Sequence, residues 1–188
     1  LSVGLIPEND ILDSLAPKMD TRTKGPQVNQ YMETTVPGLF SCGNALHVND
    51  LVDYVSESGS IAGEQAALLC SGTAFEGNTA SEGTAAAEYH TAELEKTEPF
   101  LTEVQPAALC KNPADIPICA DQTLLYQTPA RIVPDGKQAV LYFRSAAQRE
   151  QAVLTITAET KTGSKILFQK TFRSLKPPEM ERIILDTS

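Results

Sequence analysis

No C-x-x-C pair occurs in these 188 residues, so the sequence offers no dithiol redox motif and no zinc knuckle. The four cysteines are Cys42, Cys70, Cys110 and Cys119. That is too thin a density for a disulfide scaffold, and it points to a reducing compartment, the cytoplasm. Histidine is scarce, with two in all, and no second ligand pair has metal-binding spacing. His47, Asn49 and Asp50 therefore read as loop residues, and no metal is expected. No G-x-G-x-x-G follows a strand, which removes the turn that would cradle a dinucleotide pyrophosphate. No apolar run approaches the roughly 20 residues of a membrane span. A basic start, apolar stretch and small cleavage site are also missing, so no secretory leader is expected. Basic charge is in deficit: 15 Lys and Arg face 24 Asp and Glu, a net charge of −9. Without a basic stripe to neutralise phosphates, nucleic-acid binding is not expected. No internal repeat is visible.

What is present divides unevenly. Hydrophobic residues make up 41% of the chain, enough for a core. "LSVGLI" reads as a buried strand, and "PENDILDSLAPKMD" as a short helix or turn. The opening lies inside that strand, so the chain reads as cut from something longer. "GLFSCG" is a short apolar run fitting an interior strand. From about Asn49 to Ser71 the pattern is helical, with Val52, Val55, Ala62, Ala66 and Leu69 near helical spacing and Asn49 or Asp50 as N-cap. Gly59 and Gly63 give that helix a bare surface. Residues 71–99 are small, polar and acidic, a linker or surface excursion with a candidate helix at "TAAAEYHTAELEK". From Thr123 onward, strand-like runs ("TLLYQT", "ARIV", "QAVLYFRS", "QAVLTITAET", "SKILFQKTF", "MERIILDTS") are split by "PDG", "KTG" and "KPP" turns. This spacing predicts a small antiparallel sandwich, with Leu141, Phe143, Leu154, Ile156, Ile166, Phe168 and Ile184 as its core.

"KGPQVNQYMETTVPGLFSCGN", residues 24 to 44, resembles the closing segment of the FAD domain in pyridine-nucleotide–disulfide-type flavoprotein oxidoreductases, the thioredoxin-reductase-like group. The family pattern is G-x-[IV]-x-[VN], then T-[ST]-V-P-G-[LIV]-[FY]-[AS]-x-G-D, then a helix. Gly25, Val28, Thr34, Thr35, Val36, Pro37, Gly38, Leu39, Phe40, Ser41 and Gly43 fit it. "LSVGLIPEND" fits the strand upstream. The match covers residues 1 to about 70, and the C-terminal "YQTPARIV…LYFRS…KPPEMERIIL" looks like a small β-domain appended to some bacterial members.

The resemblance implies a cofactor, FAD, and a second, NAD(P), in a larger parent. Gly43 would let backbone approach the ribityl-phosphate arm. The family acid that bonds a ribityl hydroxyl is Asn44 here, an amide that loses the charge-assisted part of that bond. The helix N-terminus would face the flavin ring, with Asp53, Tyr54 and Val55 beside its pyrimidine edge. Tyr54 either packs on the flavin or fills core. Cys42 reads as a buried strand cysteine rather than a redox group. Cys110 and Cys119 read as free thiols or a local bridge. His47 belongs at the cofactor rim.

The expected fold class is α+β: a partial Rossmann-like FAD-domain segment (1–70), a linker or extended region (71–120) and a β-sandwich (121–188). The expected function is that of a fragment of an FAD-dependent, NAD(P)-linked oxidoreductase, inactive alone, whose main partner is the rest of the parent. The rival is a non-enzymatic module in which the β-domain docks another subunit or a second copy. No catalytic residue is assigned.

Overall fold

The computed structural model describes residues 7, 9–12, 14–71, 115–160 and 163–187. The expected strand "LSVGLI", the helix at "TAAAEYHTAELEK", most of the 71–120 linker and Cys110 lie outside the described residues. The described chain is small α+β, with one α-helix and antiparallel sheets.

Residues 14–51 run as turns. A 3-10 turn at Asp10–Leu12 precedes them, and Met19 and Glu33 make isolated bridges to Pro26 and Phe40. The run "GLFSCG" forms that single bridge at Phe40 and no strand. It is too short, and Pro37 with the positive-φ Gly38 (φ +77°) turns the chain before it. Val28, Met32 and Leu46 are buried here and pack with Ala62 of the helix, with Phe40, Cys42 and Ile61 at the margin. Gly25 makes this packing possible: a Cβ there would lie 1.9 Å from the Leu46 carbonyl oxygen. A 3-10 turn at Gly43–Ala45 follows, and then helix α1, Val52–Cys70.

The second part is β-structure. Its strands are β1 (Ile116–Pro117), β2 (Leu124–Thr128), β3 (Arg131–Ile132), β4 (Gln138–Ser145), β5 (Arg149–Thr160), β6 (Gly163–Leu175) and β7 (Met180–Asp186). β4 is the centre of a three-stranded sheet in the order β2-β4-β7. β5 and β6 form a long two-stranded ribbon, and β1 pairs β3. Ribbon and sheet share one core of Leu141, Phe143, Phe172, Leu175, Ile183 and Leu185, with Leu154, Ile156 and Phe168 packed against it. A two-stranded ribbon is marginal alone in water, so this contact holds it.

Alternation on β5 is as read: Leu154, Ile156 and Ala158 are half-buried, while Val153, Thr155 and Thr157 are exposed. Two expected core positions are not core. Ile184 is 43% exposed and Ile166 60% exposed. In "RIILD" three apolar residues are consecutive, and the register Leu141↔Ile183 and Ala139↔Leu185 turns Ile184 outward. A register shift between Ile156 and Thr157 breaks the alternation that placed Ile166 with Phe168, since one extra residue flips the face.

Buried polar contacts join the two parts. The Gln30 side-chain amide donates to the Val133 carbonyl and accepts from the Val133 N–H, both at 2.7 Å. Ala130 N–H reaches the Val28 carbonyl at 3.0 Å, and the Tyr31 hydroxyl donates to Asp135.

Candidate functional site

The turn at Gly43 and the start of α1 are built against each other. Gly43 is buried at φ +61°, a left-handed conformation that costs an L-residue about 1–2 kcal/mol. A Cβ there would also stand 3.3 Å from Val55 Cγ1. The Gly43 N–H donates to Ser58 Oγ at 3.0 Å, and Ser58 returns a bond to the Val55 carbonyl. Ser58 is 2% exposed. A serine inside a helix ordinarily competes with its backbone, but here it clips the turn to the helix face.

α1 begins at Val52, and its N-cap is Leu51, with no side-chain cap. This corrects the expectation of Asn49 or Asp50 as N-cap. Asn49 Nδ2 donates to the His47 carbonyl at 3.0 Å and to Asn44 Oδ1 at 3.3 Å. Asp50 is spent on Arg144 and on the Met180 N–H, the latter at 2.6 Å. Among the described residues the first turn of α1 has no side-chain capping bond; its Tyr54 N–H bonds the Leu51 carbonyl at 3.2 Å, and Leu51, Val52 and Asp53 beside it are exposed.

Of the expected site residues, Gly43, Asn44 and Val55 come together at this turn. Asn44 is exposed, and its Oδ1 accepts from both the N–H and the side-chain amide of Asn49, which leaves the amide nitrogen as its outward-donating group. Asp53 lies on the first turn of α1, exposed. Tyr54 faces the β-part, its ring 5.4 Å from that of Tyr142.

Three side-chain oxygens around the turn are buried and unpaired: Ser41 Oγ, Asn49 Oδ1 and Asn9 Oδ1. Ser41 precedes Gly43 by two residues, and Asn9 is tied to the turn through its Nδ2 bond to the Ala45 carbonyl at 3.0 Å. Unsatisfied buried acceptors are costly. Among the described residues no cluster of His, Cys, Asp and Glu is arranged to hold a metal. Burial pushes the Cys42 thiol pKa up, so it is not a poised thiolate. A cavity of about 510 Å³ lies elsewhere, between ribbon and sheet, lined by Leu124, Phe143, Leu154, Ile156 and Leu185 among others.

Behind the turn is a network of residues brought together from distant parts of the chain. His47 is 1% exposed, with its ring centroid 5.7 Å from Tyr126 and 5.8 Å from Tyr142. It is a core residue of the junction, not a rim residue. Burial lowers its pKa to about 4; the Val48 carbonyl opposes that shift, nearby Arg144 adds to it and Asp50 opposes it. Glu57 on α1 pairs with Arg182, whose Nε donates at 2.9 Å, and accepts from the Tyr142 hydroxyl. Arg182 holds the Glu57 carboxyl below its ordinary range against the opposing effect of burial, and burial, then Glu57, push the Tyr142 hydroxyl up. These partners lie 85 and 125 residues apart in sequence, so no local pattern announces them.

No family model matches the chain, and neither curated proteins nor solved structures yield a match. No helix among the described residues is long and apolar enough to cross a membrane.

Proposed function

We propose that this chain is the C-terminal part of a cytoplasmic FAD-dependent, NAD(P)-linked oxidoreductase, and that it supplies the ribityl and ring-edge contacts of the flavin site. The observation that carries this reading is the uncapped N-terminus of α1 clipped to the positive-φ Gly43 turn, in the segment whose residues resemble the end of a flavoprotein FAD domain. The first part is then a piece of a Rossmann-like domain, and the β-part a small antiparallel sandwich. In the site, Gly43 admits the ribityl arm close to backbone. Asn44 donates its amide N–H to a ribityl oxygen, and the buried oxygens of Ser41 and Asn49 accept from ribityl hydroxyls. The backbone at Asp53, Tyr54 and Val55 and the dipole of α1 favour negative charge at the ring edge. Bound FAD supplies the hydride chemistry. The pyrophosphate and adenosine contacts belong to the rest of the parent, which is the first partner of this chain.

The test is FAD content and affinity of the intact parent. Protein that retains flavin through desalting, and loses affinity on Gly43→Val, supports the reading. Protein that neither retains nor binds FAD refutes it. A second reading, a non-enzymatic module docking another subunit, draws on the exposed Val153, Ile166 and Leu167 of the ribbon. A mass that rises with concentration in flavin-free protein favours it.

A further inference from the structure

The cavity between ribbon and sheet is walled in part by a strand edge. β5 borders it with six consecutive residues, 153–158. Leu154, Ile156 and Ala158 are half-buried while Val153, Thr155 and Thr157 are exposed; a run that includes both faces borders the cavity through its backbone edge as well as its inner side chains. Among the described residues β5 pairs with β6 and with no other strand, so the edge toward the cavity keeps its alternating N–H and C=O groups unpaired. Across from it stand residues 116–121, again consecutive, and the floor is Leu141, Phe143, Ile183 and Leu185. Edges left open are ordinarily guarded by charge or proline. The stretch "QAVLTITA", residues 151–158, has neither, and its β-branched residues favour the strand state. At about 510 Å³ the cavity falls in the range of ligand sites, about 300–1,000 Å³.

We propose that this slot is a strand-acceptor site for a partner polypeptide: it takes one extended segment, apolar at every second residue, that adds to the free edge of β5. Shape and chemistry select that occupant. A hydrocarbon ligand would cover the apolar floor and leave the β5 backbone groups without partners. An extended peptide supplies donors and acceptors at strand spacing and directs alternate side chains onto Leu141, Phe143, Ile183 and Leu185. A second copy of the ribbon fits less well, because its β5 brings β6 along on the far side, where residues 116–121 stand. No residue of the Gly43 turn lines the slot, so the site stands or falls independently of flavin.

The test is panning of random decapeptides displayed on phage against the full chain. Enriched peptides are then synthesised, titrated by fluorescence anisotropy and followed by hydrogen–deuterium exchange of the chain. They are expected to be apolar at alternate positions, to bind with dissociation constants of order 10 µM, and to slow exchange in residues 153–158 without slowing it in β6. N-methylation of alternate residues along one edge of such a peptide should weaken binding about tenfold or more, and along the other edge much less, because one row of its N–H groups faces β5. Peptides that bind without protecting residues 153–158, or that tolerate both sets of N-methyl groups, would show that β5 is not the acceptor and overturn the proposal, as would a library that yields no binder. Protection of residues 153–158 in the peptide-free chain would also overturn it: at a monomeric mass the edge is then covered from within the chain, and at a doubled mass by a second copy.

Discussion

Acidification should undock the β-part from the Gly43 turn through a single imidazole. His47 is 1% exposed between Tyr126 and Tyr142, and its protonation is disfavoured by burial first, so its pKa falls from 6.5 to about 4. The unfolded chain therefore binds a proton that the folded chain refuses at any pH between those values. Stability rises with pH wherever the unfolded state holds more protons, so this contribution is complete above 6.5 and is lost as pH falls toward 4. The whole interval, at about 1.36 kcal/mol per pH unit, amounts to about 3 kcal/mol, and about 2 kcal/mol of it is lost between pH 7.5 and 5. The assay is urea unfolding at a series of pH values between 7.5 and 5, where the imidazole titrates and most carboxylates stay largely ionised. His47→Phe, which keeps an apolar ring between the tyrosines, should show a flat profile where the unsubstituted protein slopes. Parallel profiles for the two proteins would refute the reasoning, since the slope would then come from other groups.

Further expectations concern packing, charge and the ligand. Glu57→Gln should cost about 1–2 kcal/mol by loss of its charged bonds to Arg182 and Tyr142, and a double-mutant cycle with Arg182→Met should show coupling near 1 kcal/mol; strict additivity in unfolding midpoints would mean the pair is idle. Because Arg182 depresses the Glu57 pKa below 4.5, that contribution is present above pH 4.5 and fades as pH falls below it. Gly25→Ala, whose new Cβ meets the Leu46 carbonyl oxygen at 1.9 Å, should cost about 2–3 kcal/mol, whereas Gly63→Ala on the open face of α1, with nothing within 4 Å, should gain about 0.5–1 kcal/mol; equal melting temperatures for the two variants would contradict the packing described. In the intact parent Asn44→Asp should keep or tighten FAD binding, because one carboxylate oxygen still accepts from Asn49 while the other replaces the amide donor by accepting from the ribityl hydroxyl in a charge-assisted bond, and Asn44→Leu should weaken it by about 1–3 kcal/mol; three equal dissociation constants would show that Asn44 does not touch the cofactor.

The β-part was legible because two-residue periodicity and turn chemistry are local. "QAVLYFRS" is β4 residue for residue, and the other long strands match the runs read from sequence to within a few residues. The failures occur where local pattern is degenerate. "RIILD" does not say which isoleucine faces in, and only pairing with β4 decides for Ile183. Asn49 and Asp50 are good cap residues by type, yet partners from β-strands recruit Asp50 away, and a neighbouring turn takes Asn49. Gly43 was singled out through its motif and has a left-handed backbone, but its clip to Ser58 was not foreseen, since the serine gives no signal inside a helical pattern. His47 was placed at a rim because one histidine in a polar loop carries no burial signal; Tyr126 and Tyr142, which enclose it, arrive from strands more than 75 residues later.

Hydrogen–deuterium exchange of the intact parent, stripped of flavin and then resupplied with FAD, tests the central claim most directly. Flavin seated on the Gly43 turn and the open end of α1 should slow exchange sharply in the segment from Ser41 to Val55, with the ribbon of β5 and β6 unchanged. FAD that binds and leaves the 41–55 segment exchanging at its flavin-free rate would contradict the account, whatever else in the protein it protects.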